Sequence, residues 1–354
     1  MPWTNLDWFD AHLDLAYMAA LGRDMRAEPE QAGGVDLPAG VTFASLARGR
    51  VKWALATIFT EPGGSDSRAA YPEGDFAAAA RLGRAQLQQY QAWEQAGLVH
   101  IGLDPSTKPD PLQSSERARE TGDQALRIGI LIENADPIAS PDELEWWQAQ
   151  GVVAVGLAWT RLSRYAGGNT TAHGLTDHGR AMVREADRLG VVLDASHLSD
   201  RALAEVLELT QGPIIASHSN CRALIATDNQ RHLTDDAIRQ ITSRGGIIGI
   251  NLFSPFIIPG ALRTRRATLQ EWAAHVERIV DLAGSRDRVA LGSDMDGGFS
   301  AQMLPEHVDG PGDLWRLVES LSARGWSDLE LANFACGTWR AFWLNHPTRR
   351  AHQQ

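Results

Sequence analysis

Eight short apolar runs, spaced along 354 residues and separated by stretches with helical signatures, constrain this chain more than any other feature. The runs occupy 8–14, 51–61, 127–134, 152–160, 191–197, 213–219, 246–253 and 288–296. Most are continuously apolar and β-branched through their middle. That is how a strand buried on both faces reads, as in a parallel sheet. The stretches between them carry helix start and stop signals. Those at 176–190, 199–212, 234–246 and 268–284 each begin with Ser or Thr and end in Gly, the residues that cap helix N- and C-termini. Two further helices are expected at 74–97 and at 140–151, the latter opening Ser-Pro-Asp-Glu. Strands alternating with helices predict an α/β chain folded as a TIM (β/α)8 barrel; an open doubly wound sheet is the competing arrangement. One barrel with insertions accounts for residues 1–354 as a single domain. The Gly- and Pro-containing stretches at 62–74, 104–112 and 300–313 read as long loops.

Charge and composition narrow the partners. With 33 basic against 44 acidic side chains the net charge is -11, which disfavours a nucleic-acid partner. At 44% hydrophobic and 22% charged, the composition excludes disordered and fibrous classes. Cys221 and Cys336 are the only cysteines and suggest no disulfide framework, so a reducing compartment is the simplest home. The first residues show no basic and apolar leader, and no apolar run approaches the ~20 residues of a membrane span. A soluble, cytoplasmic protein without a membrane partner is expected.

Chemistry concentrates where the runs end. His12 and Asp14 close the first run, Glu133 the third, His197 the fifth, His218 the sixth and Asp294 the eighth. In a barrel all strand C-termini meet at one mouth. His12 and Asp14 are two apart, so on a strand both would face the same way and could grip one cation. His197 and His218 offer imidazole nitrogens suited to zinc, manganese or iron. Glu133 has two oxygens with which to bridge two ions. Each of these residues alone reads as an ordinary hydrogen-bonded strand-end or loop group. Together they suit two metals ~3.5–4 Å apart, with a shared water brought to a pKa near ~7.

The segments DAHLDL at 10–15, GLTDHGRAMVREADRLGVVLDASHLS at 174–199, PIIASHSNCRAL at 213–224, RHLTDDAIRQI at 231–241 and GSDMDG at 292–297 carry a resemblance. In them the chain resembles the membrane (renal-type) dipeptidases of the metal-dependent amidohydrolase barrels, from residue 10 to about 340. The resemblance implies a binuclear site, with His12, Asp14 and the bridging Glu133 on one ion and Glu133, His197 and His218 on the other. It implies zinc as the expected pair of ions and Asp294 as the catalytic acid/base. It also makes Arg231 the group that binds the substrate's C-terminal carboxylate, with Arg222 as the competing arginine. Tolerance of a C-terminal D-residue and assembly as a homodimer are further implications. One departure stands out. The family's fourth strand ends in a histidine that helps polarise the scissile carbonyl, and here GLAWT places Trp159 at that point. An indole offers one N–H donor and no titratable nitrogen. It is expected to wall the pocket or stack on substrate, with Asn169 of the next loop taking over a polar contact. Asp296, two past Asp294, is expected to orient its loop.

The expected function is hydrolysis of a dipeptide by a hydroxide bridging the two ions. Trp159 keeps a different small amide or a lactone open as substrate on the same barrel. A metal-retaining binder without turnover is the rival from another class, and Asp294 argues against it, because a binder has no use for an acid/base.

Overall fold

The computed structural model describes residues 3–66, 68–104, 125–259 and 265–346. All eight apolar runs contain a strand: β1 Trp8–Leu13, β2 Val51–Phe59, β3 Leu126–Glu133, β4 Val152–Gly156, β5 Val192–Asp194, β6 Ile214–Ile215, β7 Ile248–Ile250 and β8 Val289–Leu291. Parallel ladders join β1 to β2, β3, β4, β5 and β6 in chain order. A parallel bridge, Ala216 to Ile248, carries the sheet on to β7, which pairs with β8. A doubly wound sheet would reverse its strand order partway, and this one does not. The ring closes between β8 and β1 through a side chain: the Asp10 carboxylate accepts the backbone N–H of Ser293 at 2.8 Å and that of His12 at 3.2 Å. The fold is a (β/α)8 barrel.

Strand alternation sorts the barrel's core into two main bodies, beside a small separate cluster of Tyr71, Ala78 and Ala79. Ile128, Ile130 and Ile132 of β3 face outward into the large cluster shared with the helices. Leu131 joins Phe9, Leu55, Ala154, Val192, Ile215, Ile247 and Ala290 in a second cluster that fills the barrel, plugged from below by Trp339 and Trp343. Trp339 is fully buried, stacks on Phe9 at 6.1 Å and donates its indole N–H to the Leu291 carbonyl at 2.9 Å. The helices follow their sequence signals. Thr176, Ser199, Thr234 and Thr268 each accept a first-turn N–H at the starts of α1 Asp177–Leu189, α2 Asp200–Leu209, α3 Asp235–Ser243 and α4 Leu269–Ala283. Gly190 and Gly284 end α1 and α4 in the left-handed conformation. The 74–97 stretch is helical over Phe76–Gln95, and 140–151 begins as a 3-10 turn before Leu144–Ala149.

Among the described residues three short strands lie outside the expected set. Val99–Ile101 pairs with β3, and Glu61–Pro62, at the end of the second run, pairs with Ala70–Tyr71 of the first expected loop. The stretch 300–313 is a loop with two 3-10 turns. The loop at 104–112 lies, beyond Asp104, outside the described residues, as does the chain from 347 onward.

Candidate active site

Two residues beyond the apolar layer, the inward faces of the strands turn polar. Leu55 is followed by Thr57, Leu131 by Glu133, Val192 by Asp194 and Ile215 by Ser217. The same strand period that builds the floor therefore supplies the mouth.

Glu133 stands at the centre. Its Oε2 lies 3.4 Å from His12 Nε2, while its Oε1 lies 3.1 Å from His197 Nε2 and 3.5 Å from His218 Nε2. The carboxylate thus faces one imidazole with one oxygen and two with the other. Asp14 Oδ1 and Asp294 Oδ1 approach His12 Nε2 at 3.6 and 3.9 Å. Among the described residues two groups could each hold a cation, His12 with Glu133 and His218, and His12 with Asp14 and Asp294. Asp14 reaches this place differently from the strand argument. β1 ends at Leu13, and Asp14 sits at the start of the helix Leu15–Ala20. Its side chain makes no capping bond there and instead accepts the hydroxyl proton of Thr57.

The electrostatics are those of a charge cluster shut away from water. Burial opposes protonation of His12, but the Glu133 and Asp14 carboxylates outweigh it and hold His12 well above the usual imidazole range. Burial would raise Glu133; His12 and His197 override it and hold its carboxyl below the usual range. Burial pushes His197 down to about 4, aided by the Arg231 charge, and takes His218 well below its usual value. Asp294 is raised to about 7 by burial, with the Asp14 carboxylate adding to it. Its Oδ2 accepts from Asn251 Nδ2 at 2.8 Å. Asp294 adopts a φ of 60° and Gly297 packs against it, so that a Cβ at 297 would lie 2.0 Å from Asp294 Oδ1. A side chain at 297 would push the Asp294 carboxylate aside.

Arg231 is buried. It donates from Nη1 to Ser219 Oγ at 3.1 Å and from Nη2 to the His218 carbonyl at 2.7 Å, and it stacks over Phe256 at 5.0 Å. Its Nε has no partner, and no carboxylate of the described residues forms an ion pair with it. Arg222 is engaged elsewhere, in a two-pronged pair with Asp200 at 2.6 and 2.8 Å. Trp159 is half-buried, 5.1 Å from Phe59 and 5.9 Å from His197 between ring centres. Asn169 is placed against the histidine, its Oδ1 3.2 Å from His197 Nδ1. Asp296 takes Arg23 and the backbone N–H groups of Gly40 and Val41, stapling the loop after β1 to the loop after β8.

Thr57 and Asn251 were not singled out in the sequence, yet both touch site carboxylates. They occupy the second and seventh runs, to which no functional group had been assigned, and an inward position near each strand end was the signal available.

Residues 3–340 match the family model described as membrane dipeptidase, peptidase family M19. An uncharacterized protein in the pqqA 5' region of Klebsiella pneumoniae is 30% identical over 233 residues, 63% of this chain and 83% of that one. Dipeptidase tcpJ of Claviceps purpurea is 32% identical over 177 residues, 49% of this chain but only 39% of that protein. Among solved structures, a metallo peptidase from Rhodobacter sphaeroides, liganded with a phosphinate mimic of the dipeptide L-Ala-D-Ala, superposes with a TM-score of 0.79 at 21% identity, covering 96% of this chain and 99% of that one. The probable dipeptidase PvdM from Pseudomonas aeruginosa gives 0.79 at 20% identity, covering 98% and 97%. At these identities the structural likeness speaks for the fold.

Proposed function

The chain belongs to the membrane dipeptidase family of metal-dependent peptide hydrolases, peptidase family M19, and from that premise we propose that it hydrolyses the amide bond of a dipeptide, including dipeptides with a C-terminal D-residue. The observation that carries this reading is the division of Glu133, one oxygen toward His12 and the other toward His197 and His218.

The donors suit cations. His12 Nε2 is buried without a hydrogen-bond partner. The Nε2 atoms of His197 and His218 face each other at 3.0 Å, a spacing that cannot hold a proton on both. His12, Asp14 and Glu133 would hold one divalent ion, and Glu133, His197 and His218 a second. Imidazole with carboxylate makes zinc the expected metal. Bound there, the ions supply a water of pKa near ~7 and an electrophile for the carbonyl.

The chain's own groups do the rest. Asn251 fixes one oxygen of Asp294 and leaves the other facing the cluster, where it takes the proton of the attacking water and passes it to the leaving amine. Burial holds Asp294 at about 7 in the metal-free site, and beside bound cations its carboxylate would ionise more readily and serve as the base. Arg231, buried and without an internal carboxylate, binds the substrate's C-terminal carboxylate and so restricts substrates to those with a nearby C-terminus. Trp159 walls the pocket next to His197, and Asn169 orients that ring. The D-residue draws support from the L-Ala-D-Ala mimic in the similar Rhodobacter sphaeroides structure. The proposal sets the enzyme in the cytoplasm as one barrel domain; no helix of the described residues is long and apolar enough to cross a membrane. A second reading, a different small amide or a lactone as substrate, is favoured by Trp159 alone.

Metal content measured together with hydrolysis of L,L and L,D dipeptides, with and without chelator, tests the reading. Two ions per chain and chelator-sensitive cleavage are expected. Full activity in chelator with no metal retained overturns it, and cleavage of amides or lactones without dipeptides hands the case to the second reading.

A further inference from the structure

Behind the imidazoles runs a buried chain of oxygens that takes no part in the proton transfers above. Asp194 is 2% exposed. Its Oδ1 accepts the backbone N–H groups of Ser196 at 3.0 Å and Ser217 at 2.8 Å, tying β5 to the end of β6. Its Oδ2 accepts the Ser217 hydroxyl at 2.5 Å. The same Ser217 oxygen lies 2.7 Å from His218 Nδ1 and 3.3 Å from His12 Nδ1.

We propose that Asp194 and Ser217 are positioning residues that hold an Nδ1–H on both His12 and His218, and so commit both Nε2 atoms to the cluster and to a metal. The Ser217 hydroxyl donates to Asp194 Oδ2, and a hydroxyl has one proton to give. The hydroxyl then has nothing but lone pairs to offer the two rings. Each ring must answer with Nδ1–H, so that Nε2 is the nitrogen turned to Glu133 and given to a metal when one binds. One hydroxyl thus serves an imidazole on either side of Glu133. His197 stands apart, because its Nδ1 meets Asn169 instead. The chain also extends sideways: Ser196 Oγ lies 3.4 Å from Ser217 Oγ and 3.3 Å from Ser219 Oγ, and Ser219 accepts from Arg231. The metal ligands and the carboxylate clamp are therefore built on one hydrogen-bonded scaffold.

The inference rests on reading the cluster as a metal site. A purely structural Asp194 would need only Oδ1, which holds the two backbone N–H groups. Asp194→Asn keeps that oxygen and replaces Oδ2 with a donor. Ser217 must then turn its proton toward a ring, and His218 at 2.7 Å is the nearer. His218 should change to the Nε2–H tautomer, its N–H now pointing at Glu133.

The test is zinc affinity by competition with a chromophoric chelator, read beside ring 15N–1H NMR of the metal-free and zinc-loaded protein. Wild type should show Nδ1–H on His12 and His218. Asp194→Asn should lose the His218 Nδ1–H signal, leave His197 unmoved and bind zinc about 10–100-fold more weakly. Should that variant not fold, Ser217→Ala carries the same test: both Nδ1–H signals exchange rapidly with water and zinc affinity falls, and Ser217→Thr, which keeps the hydroxyl, restores both. Variants that bind zinc as wild type does, with His218 Nδ1–H in place, overturn the positioning role alone. Wild-type protein that binds no zinc overturns the metal reading beneath it.

Discussion

The two ends of the barrel are made by the same strands and obey opposite rules. At the floor, Phe9, Leu55, Leu131, Val192 and Ile215 close on Trp339 and Trp343 with hardly a polar atom among them. Two residues on, Thr57, Glu133, Asp194 and Ser217 meet His12, His218 and Asp294 in equal seclusion from water. Burial stabilises the floor, at roughly 25 cal/mol per Å² of apolar surface. The same burial works against the mouth. It lifts Asp294 to about 7, and three carboxylates gather around one imidazole. The contrast teaches that the fold's stability and its chemistry are carried by adjacent layers of the same strands, with the floor offsetting a mouth that only cations would relieve.

That division can be broken by substitution. The largest effect is expected from Glu133→Gln, which removes the shared ligand: elemental analysis should show the ions lost and turnover at the level of chelated protein, while the fold persists. If Glu133→Gln keeps its metal and its rate, the mouth is not organised around that carboxylate. Asp294→Asn should retain the metals and lose about 10²–10⁴ in kcat, and wild-type kcat would make Asp294 structural only. The same variant carries a pH signature in metal-free protein. Asp294 has a folded value of about 7, above the ordinary carboxylate value of ~3.9, so its contribution to stability is present at low pH and lost as the pH rises through 7. The difference in denaturation midpoint between wild type and Asp294→Asn should therefore shift against wild type between about pH 4 and 7 and level off above, and a constant difference refutes the assignment.

Floor substitutions should do the reverse. Trp339→Ala is expected to cost about 3–5 kcal/mol of folding stability, measured by urea denaturation, with kcat per folded molecule unchanged. A large kcat loss without loss of stability would mean that the layers are not separable. The smallest effect belongs to the pocket wall. Trp159→Ala should raise KM and leave kcat alone, since lost packing on substrate is uniform binding. Trp159→His should keep the metals and change which substrates turn over. Unchanged constants in both variants would place the indole outside the pocket.

The strands were legible because burial on both faces keeps the middle of most runs largely apolar and β-branched, and the helices because their caps are written in Ser, Thr and Gly. The ends of five runs pointed to the cluster for the same reason: a polar residue after a buried strand needs an explanation. The route taken by Asp14 was not legible. Strand period put it beside His12, whereas the chain leaves the strand at Leu13 and a helix start delivers the carboxylate. Nor could spacing show that Arg222 is taken by Asp200 while Arg231 is not, or that Asn169 meets His197. Those depend on which loops touch, over separations that carry no periodic signal. Asp194 and Ser217 were hidden by ordinariness, as an acid and a hydroxyl within runs already assigned.

The Asp10 contact joins residues 283 positions apart, and it sits directly beneath the place where His12 and Asp14 meet Asp294. The first strand and the last must therefore find each other before the reacting groups share a space. Closing so long a loop adds little thermodynamic cost, since each doubling of length adds only about 0.6 kcal/mol. It does impose an order of events. A nascent chain still short of its eighth strand already owns His12, Asp14, Glu133, His197 and His218, but lacks Asp294 and a closed wall. The seam thus makes the eighth strand the last piece of the cluster, because Asp294 joins His12 and Asp14 only when that strand is in place.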